Sequence, residues 1–474
     1  MLICGCYVNP VTNRPQVILT SQGTEKTLGD EEAAKVEATM GLVEDPALQT
    51  YVASIGDRLV RRAPADGYDF RFHVVNMKEP NAFALPGGHI YVSRGILMLA
   101  NSEDEIAGVL GHEIAHVLGR DAGSRISLGA PLTLATGIGA LATGIVSPAL
   151  GNLIGGVGSV TQGLLLSSYD RQQERNADGY GLKLAAASGW RPQGLPDILH
   201  SLERFESLQG ESSRQMSFFA SHPSTPERVR DTVREAAATE TTDAPPTAAG
   251  RREFLARLDG LVIGDDPSAG IFDGQLFIQP ELEIALRFPT GWKTENSMDE
   301  VIAVDPEGRA LAVLTHAGEG DDPAPVARAY ADERGIDSRQ FKPITVNDLR
   351  GVRSGVIAGR SGGRAMSLES TWIAHRGNIY QVVCATTPDR VEQFRAAFAE
   401  TPHSFRATDR KDIARVRVQR LRIHRAAAGE TVAALLKRAG SSWDADTAAA
   451  ANAIETGTPL AAGTLVKAPI EEPY

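Results

Sequence analysis

The chain has few cysteines: three among its 474 residues, Cys4, Cys6 and Cys384. None lies near the other candidate site residues, which excludes a cysteine protease and a cysteine-type zinc finger. The net charge is −11 and no basic cluster is present, which argues against a nucleic-acid partner. No clean apolar run of about 20 residues is found. The length allows two to four domains of ordinary globular composition.

The strongest chemical signal is the run His112-Glu-Ile-Ala-His116. It falls within Ser102–Gly119, which apolar periodicity and a capping box with Glu105 predict to be one helix. Histidines four residues apart project from one helix face and can reach the same zinc ion, with Glu113 beside them as a base for water. The alternative is a surface helix with two incidental histidines. The apolar face of this helix favours the metal site.

A second predicted helix, residues 168–187, supplies a candidate third ligand. Glu174, Ala177, Asp178 and Gly181 follow the i, i+3, i+4, i+7 spacing of a single stripe. Two acids and two small residues on one stripe indicate close packing on the first helix. Glu174 could then reach the metal, and Asp178 could accept the spare N–H of a ligand histidine and orient its ring. Taken alone, Glu174 would be read as a solvated helix acid.

Together these motifs resemble the M48 family of zinc metallopeptidases, a gluzincin group. The resemblance covers about residues 28–236. It rests on four segments: His112–His116, Arg171-x-x-Glu174-x-x-Ala177-Asp178, Asn81–Val92, and Ser221-His222-Pro223 followed by Arg228. One departure is visible at the end of the first helix, where many family members carry Arg-His and this chain has Arg120-Asp121.

The resemblance implies one zinc ion per chain, held by His112, His116 and Glu174, with Glu113 taking the proton of the attacking water. His222 is the candidate donor to the oxyanion, with Arg228 as its helper or positioning partner. In some relatives the equivalent histidine instead caps the zinc and keeps the enzyme silent. The sequence leaves both roles of His222 open.

The resemblance also implies how substrate binds. In the family, the strand corresponding to His89–Ser93 lines the cleft and pairs with an extended peptide, so His89, Ile90 and Tyr91 are candidate substrate-binding residues. Asn81 and Ala84 are candidates for further backbone contacts. This predicts a metalloendopeptidase for unfolded or misassembled envelope proteins. The alternative is a chaperone-like or wall-binding protein with a structural or latent zinc site.

The first residues suggest a location. Ile3-Cys4-Gly5-Cys6 resembles the end of a bacterial lipoprotein signal, with Cys6 as the acylated residue and the leader upstream of residue 1. The expectation is a periplasmic protein with a lipid anchor in the membrane; the alternative is a soluble chain with two incidental cysteines. The uncharged, Gly-rich segment 126–169 is predicted to lie over the cleft as a flexible lid, with a membrane hairpin as the minority interpretation.

The predicted class is α+β. A mainly helical zincin domain with a small β-sheet is followed by a separate α+β accessory domain and a βααβ tail that weakly resembles LysM, a module that binds peptidoglycan. A plain packing module is an equal alternative for the tail, and a binding or scaffold role is preferred for the accessory domain. The expected boundaries are 1–27 for the N-terminal segment, 28–236 for the peptidase domain, 237–255 for a linker, 256–408 for the accessory domain and 409–474 for the tail.

Overall fold

A computed structural model describes residues 5–127, 169–209, 217–223, 226–240, 250–296, 298, 300–361 and 364–474. Helices and strands are mixed along these ranges, which confirms the α+β class. Among the described helices, none is both long enough and apolar enough to cross a bilayer. The predicted Gly-rich lid lies almost entirely outside the described residues, as do Ile3 and Cys4 of the lipoprotein-like segment. Gly5 and Cys6 lie within the first strand.

By its internal contacts the chain divides into two units. The first unit combines the described residues up to Gly264 with Gln419–Glu472, and the second comprises Asp265–Val418 with the last two residues. The predicted boundary between accessory domain and tail therefore lies about ten residues too early. The tail belongs to the same unit as the peptidase segment, and it also has a small core of its own that includes Val432, Leu435 and Val466.

The N-terminal part of the first unit contains a hairpin, two helices and a three-stranded sheet. Its elements are β1 (Gly5–Asn9), β2 (Arg14–Ile18), α1 (Gln22–Met40), α2 (Pro46–Val60), β3 (Arg71–Val75), β4 (Ala82–Ala84) and β5 (His89–Ser93). The sheet order is β3-β5-β4, with β3 parallel and β4 antiparallel to β5. The strand β5 is thus the central strand of this small sheet.

Helices build the rest of the peptidase segment. They are α3 (Arg94–Leu99), α4 (Glu103–Gly119), α5 (Asp121–Ser127), α6 (Arg171–Ala187), α7 (Gly194–Leu208), α8 (Phe218–Ser221), α9 (Pro226–Ala238) and α10 (Arg251–Leu258). The helix α10 begins inside the predicted linker. It buries Phe254, Leu255 and Leu258 in the core of the first unit, so the linker prediction extends too far.

The helix α4 forms where the sequence predicts it. The Ser102 hydroxyl caps its first turn by accepting from the Glu105 backbone N–H, and three acids in that turn suit the positive end of the helix dipole. Glu105 differs from the predicted capping box, because its carboxylate accepts from the backbone of Asn101. At the other end Arg120 takes a left-handed conformation with φ 52°, which reverses the chain immediately after Gly119.

The described residues of the second unit form two antiparallel sheets and three α-helices. Its elements are β6 (Ile271–Asp273), β7 (Leu276–Gln279), β8 (Ile284–Arg287), β9 (Lys293–Asn296), β10 (Glu300–Val304), β11 (Ala310–Glu319), α11 (Pro323–Glu333), β12 (Lys342–Val346), β13 (Leu349–Ser361), β14 (Arg364–His375), β15 (Asn378–Thr386), α12 (Val391–His403), β16 (Arg406–Ala407) and α13 (Arg410–Arg415). The seven-stranded sheet has the order β12-β13-β14-β15-β11-β10-β9, and the four-stranded sheet has the order β16-β8-β7-β6. The core of this unit includes Phe277, Trp292, Cys384 and Phe398.

The tail has the predicted order of strand, helix, helix and strand: β17 (Arg417–Arg425), α14 (Val432–Ala439), α15 (Ala445–Asn452) and β18 (Leu465–Pro473). Leu421 and Ala451 share one core with the peptidase helices. The fully buried Lys467 ammonium donates to the carbonyls of Met98, Leu99 and Ala100 at distances of 2.7, 2.9 and 2.6 Å. The tail therefore holds the end of α3, directly before the helix that carries the histidine pair.

Candidate active site

Two helices present the candidate metal ligands to each other. The helix α4 carries His112 and His116, and α6 carries Glu174. The helices approach closely because glycines meet at the crossing: a Cβ added to Gly181 would lie 2.7 Å from the His112 backbone nitrogen, and one added to Gly111 would lie 2.9 Å from the Gly181 carbonyl oxygen. Contacts this short leave no room for a side chain, so the glycines set the separation of the ligands.

Four buried side chains converge on one point. His112 Nε2 lies 3.1 Å from His116 Nε2, and His116 Nε2 lies 3.3 Å from Glu174 Oε1. His222 Nδ1 lies 3.2 Å from His112 Nε2 and 3.0 Å from Glu174 Oε1. One donor atom from each of the four residues lies within 4.8 Å of the others. Donors that share a tetrahedral zinc ion at about 2.0–2.1 Å lie roughly 3.3 Å apart, so this set fits zinc.

A carboxylate orients each histidine of α4. Asp178 Oδ1 lies 2.9 Å from His112 Nδ1, and Asp121 Oδ2 lies 2.7 Å from His116 Nδ1. These contacts occupy the Nδ1 side of each ring and leave each Nε2 directed at the centre of the four-donor set. The stripe on α6 predicted an orienting role for Asp178, whereas the role of Asp121 was missed.

Arg228 organises the acids on α6. Its guanidinium forms a bidentate pair with Asp178, at 2.6 and 2.8 Å, and its Nη1 lies 2.5 Å from Glu174 Oε2. It also donates to the His222 carbonyl at 3.1 Å. Arg228 thereby fixes the backbone of His222 as well as the positions of both acids, which fits the predicted positioning role better than direct contact with an oxyanion.

The electrostatics favour a cation at the centre. Burial raises the pKa of Asp178, but Arg228 outweighs it and holds that pKa at about 2. Burial likewise raises the pKa of Glu174, yet the nearby histidines, His222 foremost, hold it well below its usual range. Burial lowers the pKa of His116, but hydrogen bonds to Asp121 and Glu174 raise it to about 10. The carboxylates around His116 thus favour positive charge at this place, whereas burial lowers the pKa of His112.

Glu113 differs from the other buried acids. Its side chain is fully buried, and neither carboxylate oxygen has a hydrogen-bond partner among the described residues. The nearest ring nitrogen, His222 Nε2, is 3.5 Å from Glu113 Oε1, beyond a strong hydrogen bond. A buried carboxylate without a partner costs free energy unless a ligand or a water molecule satisfies it. Its place beside the four-donor set suits a base that acts on water there.

The strand prediction for substrate binding needs a correction. His89, Ile90 and Tyr91 lie in β5, and both edges of β5 are already paired, with β3 on one side and β4 on the other. The backbone of β5 therefore cannot pair with a peptide. The outer strand of the sheet is β4, with Asn81 just before it and Ala84 at its end, and no described strand pairs with its far edge.

The comparisons with known proteins agree with this site. Residues 46–236 match the family model described as Peptidase family M48. This segment is therefore similar to M48 peptidases. It contains all four clustered donors and Glu113. The four clustered donors therefore lie within the segment that is similar to M48 peptidases, and they could hold a metal ion.

Individual relatives match the same part of the chain. The beta-barrel assembly-enhancing protease of Escherichia coli K12 is 31% identical over 216 residues, which cover 44% of this chain and 43% of that protein. The mitochondrial metalloendopeptidase OMA1 of Schizosaccharomyces pombe is 27% identical, covering 47% and 64%. The metalloprotease LoiP of Escherichia coli K12 is 28% identical, covering 45% and 81%. The chain thus spans less than half of the length of the first of these relatives.

Proposed function

We propose that the chain is a zinc-dependent metalloendopeptidase that cleaves unfolded or misassembled proteins of the bacterial envelope. The observation that carries the proposal is that a buried set of four donors, spaced as around zinc, lies beside the carboxylate of Glu113, which has no hydrogen-bond partner among the described residues. A purely structural zinc site needs four ligands and no neighbouring base. If the protein were a chaperone with a structural metal, a buried carboxylate at Glu113 would have no function.

In the proposed reaction, His112, His116 and Glu174 would hold the zinc ion. When bound, zinc polarises the scissile carbonyl and lowers the pKa of water. Glu113 accepts the proton of the attacking water and passes it to the leaving amine. Asp178 and Asp121 keep the two histidine rings in the orientation that directs Nε2 at the ion.

We propose that His222 is a fourth zinc ligand in the resting form of the enzyme. Its Nδ1 lies as close to the other donors as they lie to each other. This closeness supports a role in capping the zinc ion rather than a role in stabilising the oxyanion. A site closed by four protein ligands has no open position for water. Cleavage then requires the segment around His222 to withdraw, after which its ring is available to stabilise the oxyanion.

We propose that an extended substrate pairs with the outer edge of β4 and not with β5. Backbone pairing demands little of the substrate's side chains, so it suits loosely folded protein. The envelope as the place of action is supported by the name of one relative, the beta-barrel assembly-enhancing protease. We also propose that Cys6 carries a lipid anchor and that the tail binds peptidoglycan.

The test is metal analysis combined with proteolysis. The purified chain should contain one zinc ion and cleave denatured casein; a chelator should stop the cleavage, and added zinc should restore it. A chain that never cleaves but suppresses aggregation of unfolded proteins would favour the chaperone-like alternative. Deletion of the tail would not test peptidoglycan binding alone, because Lys467 of the tail also supports α3. Acylation of Cys6 is tested directly by mass spectrometry of the protein from the membrane fraction.

A further inference from the structure

Asp121 occupies a position that couples two parts of the site. It follows Arg120, whose left-handed backbone turns the chain back toward the last turn of α4. The Asp121 side chain consequently lies beside His116, five residues earlier, with Oδ2 2.7 Å from His116 Nδ1. The Asp121 carboxylate thus lies at the Nδ1 edge of the His116 ring.

The other oxygen of Asp121 reaches the second ligand helix. Gln173 donates from Nε2 to Asp121 Oδ1 at 3.1 Å. Gln173 is the residue before Glu174, and its own side chain also completes the capping box of α6 with Asp170. One carboxylate therefore ties the ring of His116 to the first turn of the helix that supplies Glu174.

The charge of Asp121 is directed at His116. Asp178, the corresponding partner of His112, also forms an ion pair with Arg228. Among the described residues no lysine or arginine forms an ion pair with Asp121, and the neighbouring Arg120 pairs with Glu25 at 2.7 and 3.0 Å. The flat face of the His116 ring stacks on Tyr169, with ring centroids 3.7 Å apart and planes 8° from parallel, so Asp121 acts on a ring whose plane is already fixed.

We propose that Asp121 is a positioning residue that directs His116 Nε2 at the metal, with Gln173 holding the carboxylate in place, and that it sets the strength of zinc binding. The inference rests on the proposed function, since it assumes that the four-donor set holds zinc. It concerns this chain in particular, because many family members carry histidine at this position, and a histidine cannot give the same pair of carboxylate contacts.

The test compares zinc affinity among variants by competition with a chromogenic chelator. Asp121→Ala should weaken zinc binding about 10- to 100-fold, as loss of a ligand's hydrogen-bond partner typically does. Asp121→Asn keeps an acceptor for Nδ1–H and should recover most of the affinity, and Gln173→Ala should cause a smaller loss. The matched control is Asp57→Ala, which removes an exposed acid from α2 and should change nothing.

The visible spectrum of the cobalt-substituted protein gives a second readout. A rotated His116 ring alters the ligand field of cobalt, whereas a loss of stability that leaves the ligands in place does not. Circular dichroism of each variant reports whether it folds. If Asp121→Ala does not fold, Gln173→Ala still decides the question, because the inference predicts weaker zinc binding for it. Unchanged zinc affinity and cobalt spectrum in Asp121→Ala would overturn the inference. A wild-type chain that binds no zinc would instead overturn the proposed function.

Discussion

Gly181 of α6 lies directly against the backbone of His112 on α4, so closely that an added Cβ would be 2.7 Å from the His112 nitrogen. This contact sets the distance across which Glu174 reaches the two histidines. The separation of the ligand helices is therefore set by two glycines rather than by the ligands themselves.

Gly181→Ala should move the two helices apart. We expect a loss of stability of roughly 1–3 kcal/mol, as for other substitutions that overfill a packed interface, together with weaker zinc binding. Urea unfolding and chelator competition measure the two effects. Gly23→Ala is the matched control, because Gly23 is an exposed helical glycine whose added Cβ would meet only the Ser21 hydroxyl at 3.7 Å. Equal stability and equal zinc affinity of the two variants would show that the helix crossing tolerates a methyl group, contrary to this prediction.

His222→Ala should open the metal site. Because His222 lies within the donor set, we expect the variant to retain zinc with lower affinity and to cleave denatured casein faster than the wild type. Zinc content and initial rates are the measurements. Loss of cleavage with zinc fully retained would contradict capping and assign His222 to the oxyanion. The control is His200→Ala, which removes an exposed histidine of α7.

Lys467→Met should destabilise the peptidase unit, although residue 467 is far from the active site in sequence. The substitution keeps the length of the side chain but removes the buried donor to three carbonyls at the end of α3. We expect a loss of roughly 2–4 kcal/mol, measured by urea unfolding. Lys437→Met, at an exposed position on α14, should be within about 0.5 kcal/mol of the wild type. A tail that only rests on the surface would give the same small effect for both variants.

Glu430 provides a test of the tail by pH. A hydrogen-bonded pair with Arg438 and a hydrogen bond from the Ala427 backbone lower the pKa of Glu430 from 4.5 to about 2. Because the folded pKa is the lower one, the contribution of this pair to stability is present above pH 4.5 and is lost as pH falls toward 2. Titration of the Glu430 carboxyl by NMR should show the low pKa, and Arg438→Gln should raise it. A wild-type pKa near 4.5 would contradict the pairing.

The local elements of the site were predictable because their signals are local. Apolar periodicity and the Ser102 cap define α4, and the spacing of small and acidic residues on α6 indicates which face meets it. Histidines at i and i+4 must share a face in any helix, so His112 and His116 could be placed before the fold was known. The structure brings Glu174 and His222 to the same point.

The remaining features depend on contacts between distant residues. The central position of β5 follows from its parallel pairing with β3, which no periodicity in His89–Ser93 reveals. Asp121 contacts His116 only because Arg120, a residue other than glycine, takes a left-handed conformation. The burial of Lys467 requires three carbonyls more than 360 residues earlier in the chain. A lysine in a tail is ordinarily solvated, so its sequence context predicts exposure.

The most direct measurement of the central claim is the zinc content and casein cleavage of Glu113→Gln beside the wild type. Glutamine keeps the shape of the side chain but cannot accept the proton of water, while all four donors remain in place. We expect one zinc ion in both proteins and cleavage reduced by about 10²- to 10⁴-fold in the variant. Cleavage at the wild-type rate by a Glu113→Gln protein that retains its zinc would contradict the proposed mechanism.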